Sequence, residues 1–193
     1  MPEPAISAME LLARFRVALG WVFAPLILIL AKPSLESIVV GTMVALIGEA
    51  FRIWAAGHLN KSREVTSSGP YRYFAHPLYV GSSVMGAGLA IASANPIAAG
   101  LIVLYLFVTL RAAIRNEEAF LRRAFGDRYV RYRSHRVVPG NPEVAAVDVE
   151  RRFSIGQAVA NREHRALAGL VAAMLLLVLK ATYNGAFWRA AGP

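Results

Sequence analysis

Five apolar stretches organise the chain, separated by short polar punctuation in its first half and by one long basic stretch in its second. Residues 1–16 form an amphipathic lead in which Leu11, Leu12 and Phe15 sit among Arg14 and Arg16, the pattern of a helix that lies at an interface before descending. Val17 to Ala31 is then uncharged. That run falls short of the roughly 20 residues a crossing helix needs, and Leu11 to Phe15 makes up the difference while the arginines snorkel to the surface. A second span is predicted from about Leu35 to Gly57. The uncharged run from Pro77 to Leu110 exceeds one span, and Asn95-Pro96 near its middle is a turn signal, so it divides into helices Leu78–Ala94 and Ile97–Leu110, a tight hairpin. Leu121, Phe125, Tyr129 and Tyr132 fall on one face at helical spacing, which predicts a surface amphipathic helix over Glu117–Tyr132, broken by Pro139-Gly140-Asn141-Pro142. Glu143 to His164 is weakly patterned. A last apolar segment, Ala166–Trp188, is interrupted only by Lys180 and carries Tyr183 and Trp188 as interface anchors.

The predicted fold class is therefore all-α: a polytopic transmembrane helical bundle of about five spans, with a helical hairpin and a cytoplasmic amphipathic helix. One integral membrane domain fills 1–193, with the first two spans in 1–57, a motif core in 58–140, a cytoplasmic linker in 141–165 and the last span in 166–188. Composition agrees, since 56% of the residues are hydrophobic and an ordinary soluble domain carries a smaller apolar share. The net charge of +9 changes the picture only in orienting the bundle. Placing the N-terminus, the His58–His76 loop and Arg111–Arg165 on the cytoplasmic side puts 17 of the 21 basic residues inside, with the N-terminus in and the C-terminus out. Anionic headgroups account for this charge, and nucleic acid is not an expected partner. The chain has no cysteine, which excludes disulfides, thiolate metal sites and a cysteine nucleophile. No metal site is expected. The start lacks the pattern of a cleaved leader, so the first apolar run reads as a retained span.

Candidate chemistry lies in two polar stretches, SGPYRYFAHPLYVG (Ser68–Gly81) and RNEEAFLRRAFGDRYVRY (Arg115–Tyr132). The hairpin between them returns both to one side of the membrane. Taken singly, the first reads equally as an interfacial loop rich in Tyr and Arg, and Glu117-Glu118 as a solvated helical turn. Together they suggest more. A His-Pro pair at a helix entry leaves free backbone carbonyls, and paired carboxylates attract a cation, so the combination suits a ligand with positive charge and an apolar or aromatic body. Ser82, Gly86, Ala90 and Ala94 form a small-residue stripe on which another helix can pack closely. Glu49 and Arg52, three residues apart within the second span, read equally as a functional pair or as an ion pair near a helix end.

Gly69-Pro70-Tyr71, then His76-Pro77-Leu78-Tyr79-Val80-Gly81, an uncharged hairpin, and then Glu117-Glu118, Leu121, Phe125-Gly126, Tyr129 and Tyr132 form a pattern with a known counterpart. It resembles the isoprenylcysteine carboxyl methyltransferase family and its phospholipid methyltransferase relatives, best from about Arg52 to Pro139. The resemblance implies a small bundle of transmembrane helices that binds S-adenosylmethionine at its cytoplasmic face and admits a lipophilic or lipidated acceptor from the bilayer. It assigns Tyr71, His76, Pro77, Tyr79, Gly81, Glu117, Glu118 and Tyr129 to the cofactor and Glu118 to catalysis; Arg115 joins the catalytic set on its own chemistry, as an arginine suited to orienting an acceptor carboxylate. O-methylation of an isoprenylcysteine-like carboxylate is favoured by the nearby arginines; phospholipid N-methylation is the alternative. The chain departs from the family at Ala75, where an arginine usually precedes the histidine. That departure leaves an inactive scaffold or lipid-binding protein as another reading. The NADPH-dependent sterol reductases share a similar pattern, but this chain has Leu78 and Ser82 where they have asparagine and an acid.

Overall fold

A reciprocal cap starts the second helix. Ser34 and Ser37 cap each other's backbone at the start of the second helix, the Ser37 amide donating to Ser34 Oγ at 3.1 Å and the Ser34 amide to Ser37 Oγ at 2.9 Å. The Lys32 amide donates to the Ser93 carbonyl at 2.8 Å, tying that loop to the end of the third helix. The computed structural model describes residues 8–61, 65–135 and 152–184. They form helices α1 (Ala8–Leu30), α2 (Leu35–His58), α3 (Pro77–Ser93), α4 (Pro96–His135), α5 (Ile155–Ala160) and α6 (Glu163–Tyr183), with a 3-10 turn over Gly69–Arg72. No strand occurs among the described residues. The Pro139–Pro142 break and Trp188 lie outside them.

The long helices run up and down, so that their ends gather at two opposite faces. At one face Lys180 of α6 donates to the Ile29 carbonyl at 2.6 Å, satisfying the end of α1 beside the α1–α2 and α3–α4 turns. At the other, α2 ends, α3 begins and α5 covers the α2 carbonyls. Asn161 Nδ2 donates to the Ala56 and Leu59 carbonyls, both at 2.8 Å, and Gln157 Nε2 to the Leu59 carbonyl at 2.9 Å. The weakly patterned stretch before the last span thus acts in part as the cap of α2. Two amide side chains, spaced along a short helix, do this without any apolar period.

Close backbone approach joins α2 to α3. A Cβ on Gly48 would lie 2.4 Å from the Met85 amide nitrogen, and one on Gly88 would lie 2.4 Å from that of Ala45. The small-residue stripe divides: Ser82 faces Arg52 of α2, whereas Gly86 receives Leu106 of α4 and Ala94 is the left-handed residue that ends α3, at φ 45°. Ala45, Ala92, Leu170, Met174 and Leu177 form the core where α6 meets this pair. Around it Trp21, Ile47, Val103, Phe107, Leu175 and Leu179 are exposed, an apolar belt facing outward from the bundle. α2, α4 as far as Asp127, and α6 are each long and apolar enough to cross a membrane; α3 and the apolar part of α1, Leu19–Leu30, are shorter. This is an integral membrane bundle.

One element differs from its sequence pattern. The amphipathic stretch Glu117–Tyr132 is predicted as a separate surface helix, yet α4 runs unbroken from Pro96 past Leu110 and on through Glu117 and Glu118. Residues 111–125 contain no glycine or proline and several strong helix formers, so nothing stops the helix as it leaves the apolar region. Gly126 interrupts it instead, with φ 48° and ψ −127°, a conformation open to glycine and strained for other residues.

Candidate functional site

The 3-10 turn Gly69–Arg72 begins the site. Gly69 takes φ 57°, and a Cβ there would lie 2.7 Å from the His58 ring, so both conformation and space call for glycine. The turn buries Pro70 and Tyr71. His76 then occupies the position before α3 in a non-helical conformation, as a residue preceding proline does, and Pro77 supplies the first helical turn, where its missing N–H costs nothing. These residues end up beside α4 because the α3–α4 hairpin brings it back antiparallel.

His76 meets the paired glutamates of α4. Its Nε2 lies 3.2 Å from Glu118 Oε1 and its Nδ1 3.8 Å from Glu117 Oε2. A carboxylate only accepts, so Nε2 carries the proton and donates. Arg133 closes on the same Glu118 oxygen from the segment beyond Gly126. From that segment, too, the Tyr132 hydroxyl donates to the Tyr71 carbonyl at 3.2 Å. The kink at Gly126 therefore turns the end of α4 back over the site, and two polar contacts hold it there.

Between these parts lies a cavity of about 370 Å³. Tyr71, Ala75, Leu78 and Tyr79 form one wall, Ala113, Glu117 and Leu121 of α4 another, and Tyr129 and Tyr132 close it; Lys61 and Thr66 reach it from the α2–α3 loop. Burial, together with the Glu117 carboxylate, pushes the Tyr71 pKa up, so its hydroxyl stays protonated. Burial also raises that of Tyr129. A smaller hollow of about 280 Å³ lies on Tyr129 as well, bounded by Arg122, Val130 and Arg133.

Of the residues singled out in the sequence, Tyr71, Tyr79, Glu117 and Tyr129 line the cavity, and His76 and Glu118 are bonded to each other beside it. Pro77 is buried at the start of α3. Gly81 stands elsewhere: it faces α2, where a Cβ would lie 2.5 Å from Arg52 Cγ and 2.8 Å from the Gly48 carbonyl. Arg115 is exposed and does not line the cavity. Lys61, Asn116 and Arg133 are drawn into or against the site without having been picked out. Asn116 adjoins the glutamate pair in sequence, but Lys61 and Arg133 are each one basic residue among many in a basic stretch.

Fold and site together define a helical integral membrane protein with a polar, aromatic-lined cavity at one end of the bundle. The sequence profile of the phospholipid methyltransferase family matches residues 22–128, more than half of the chain, and the protein belongs to that family. Among curated proteins it is similar to the protein-S-isoprenylcysteine O-methyltransferase of Schizosaccharomyces pombe, 34% identical over 86 residues, which cover 45% of this chain and 36% of the relative. The human protein of the same name is 29% identical over 134 residues, 61% of this chain and 47% of that one. The nickel-cobalt-cadmium resistance protein NccN of Alcaligenes xylosoxydans xylosoxydans is 33% identical over 87 residues, covering 44% of this chain and 39% of NccN. The chain thus matches less than half the length of each of these relatives. No solved structure matches the chain significantly.

Proposed function

We propose that the protein is an S-adenosylmethionine-dependent methyltransferase that acts from within the membrane on a lipophilic acceptor. The observation that carries this reading is the cavity, which sets a cation, Lys61, and a carboxylate, Glu117, among aromatic and aliphatic walls. S-adenosylmethionine bears a carboxylate and an ammonium on one carbon, a sulfonium, and a flat aromatic base. A volume of about 370 Å³ lies in the range of small-molecule sites. The donor set fits: Glu117 for the ammonium, Lys61 for the carboxylate, and Tyr71, Tyr79 and Tyr129 for the aromatic and sulfonium parts. Two relatives named as protein-S-isoprenylcysteine O-methyltransferases support the same chemistry.

When bound, that cofactor supplies an electrophilic methyl group. The part of this chain is to bind, orient and exclude water. Glu118, His76 and Arg133 hold one another and so fix the wall that carries Glu117. For an anionic acceptor, such as the carboxylate of an isoprenylcysteine-like lipid, in-line displacement needs little acid or base help, and positioning in a dry site contributes most of the acceleration. Exposed on the same helix, one turn from Ala119 and in the turn before Glu118, Arg115 is the residue we assign to that carboxylate. The basic residues around this end of the bundle support a cytoplasmic orientation for it, where a soluble cofactor is at hand.

Titration of the detergent-purified protein with S-adenosylhomocysteine, in parallel with NADPH, tests the reading. Micromolar binding of the homocysteine compound that Glu118→Gln weakens at least tenfold is the expected result. Absence of that binding sinks the proposal, and binding of NADPH in its place moves the protein to the reductases.

A further inference from the structure

An ionic cluster lies apart from the cavity, on the far side of the first turn of α3. Arg52 of α2 reaches Glu163 at the start of α6 through two nitrogens, Nε and Nη2, each 2.6 Å from Glu163 Oε1. Its remaining arm, Nη1, donates to the Leu78 carbonyl at 3.3 Å and to Ser82 Oγ, and Ser82 Oγ donates in turn to the Leu78 carbonyl at 2.9 Å. The stem of the arginine crosses α3 at Gly81, where a Cβ would come within 2.5 Å of Arg52 Cγ. One guanidinium therefore joins the last helix to the turn whose other side supplies Leu78 and Tyr79 to the cavity.

A second carboxylate competes for the same cation. Glu49, 2% exposed, lies 3.7 Å from Arg52 Nε, and neither of its oxygens has a hydrogen-bond partner. A buried carboxylate without a donor is costly, so Arg52 has a standing reason to swing toward it. Glu163 opposes that swing, and its geometry, two nitrogens on one oxygen, is the better contact.

We propose that Glu163 is a positioning residue: by holding Arg52 on the first turn of α3 and away from Glu49, it sets the shape of the cavity wall and hence the affinity for the ligand bound there. The affinity half rests on the cofactor reading above. Glu163 lies outside residues 22–128, the part matched by the family, so the last helix contributes to the site without touching it.

The test uses the full chain in detergent or nanodiscs, with S-adenosylhomocysteine titration and hydrogen exchange of the amides of residues 76–82 as independent readouts. Glu163→Gln is expected to weaken binding about tenfold, the loss of one charge-assisted contact's worth, and to speed exchange over that turn. Glu163→Asp, which keeps the carboxylate, restores part of both. Glu49→Gln removes the competitor and, because Arg52 already rests on Glu163, leaves affinity and exchange close to those of the parent protein. Should Glu163→Gln give no monodisperse protein, Arg52→Lys carries the same test, because an ammonium keeps the charge and loses the two-nitrogen contact. Unchanged affinity and exchange in Glu163→Gln, or equal losses in Glu49→Gln and Glu163→Gln, overturns the proposal. If the unsubstituted protein binds no S-adenosylhomocysteine, the cofactor reading fails, and the exchange over residues 76–82 alone decides whether Glu163 holds the turn.

Discussion

Lys61 and Ala75 show how a single residue's role depends on its company. Ala75 stands where the family resemblance implies an arginine, and in the fold it lines the same cavity as Lys61, which comes from the other end of the loop. We infer that Lys61, fourteen residues earlier in the chain, supplies the cation that position 75 lacks. On the cofactor reading, Lys61→Ala removes a charge-assisted contact worth about 1.5–3 kcal/mol, and raises the dissociation constant for S-adenosylhomocysteine roughly ten- to a hundredfold. An Ala75→Arg, Lys61→Ala double variant that recovers affinity is the corresponding gain. Binding unaffected by Lys61→Ala counts against this pairing of charges. The sequence carried the glutamates of the site openly, as an adjacent pair beside a Tyr-x-x-Tyr pattern. Lys61 was not legible, since a lysine in a basic loop reads as topology until the loop is folded.

α4 is the element on which the site depends most. Its span and the glutamate pair are one continuous piece up to Gly126, with the closing tyrosines just beyond it, so the depth of the span sets the position of Glu117 and Glu118 directly. Helix-forming residues after Leu110 explain why it does not stop where its hydropathy does. At Gly126 the backbone has φ 48°, and a Cβ there would meet no neighbour within 4 Å. Space is therefore no obstacle to substitution, and conformation alone is. Gly126→Ala is expected to cost about 1–3 kcal/mol of strain, relieved by straightening the helix and withdrawing Tyr129, Tyr132 and Arg133 from the cavity. Loss of cofactor-analogue binding with little change in the unfolding temperature is the signature of that local release. Gly100→Ala, also without neighbours within 4 Å but inside regular helix, is the matched control. If both variants bind like the parent protein, the turn at Gly126 does not govern closure.

At the scale of the whole molecule, the up-and-down order of the helices collects one set of ends around the site. The other set gathers around Lys180 and the Ala31–Ser34 turn. Since the chain has no cysteine, orientation can be read with introduced ones: Arg123→Cys should react with a membrane-impermeant maleimide only from the cytoplasmic side, and Lys32→Cys only from the opposite side. The reverse pattern inverts the assignment made from basic residues. The sequence by itself determined the apolar spans, the hairpin at Asn95-Pro96, and the pairing of two motif stretches at one end, because each follows from hydropathy, length and local backbone chemistry. It also carried the family pattern. Only the tertiary structure decided which glycines face which helix, that Gly81 makes room for Arg52, and that Glu163, more than a hundred residues away, completes that cluster. Hydropathy sets where a helix crosses, but the rotation of one helix against another is decided by packing of small residues and by which buried charges find partners, and neither leaves a period in the sequence.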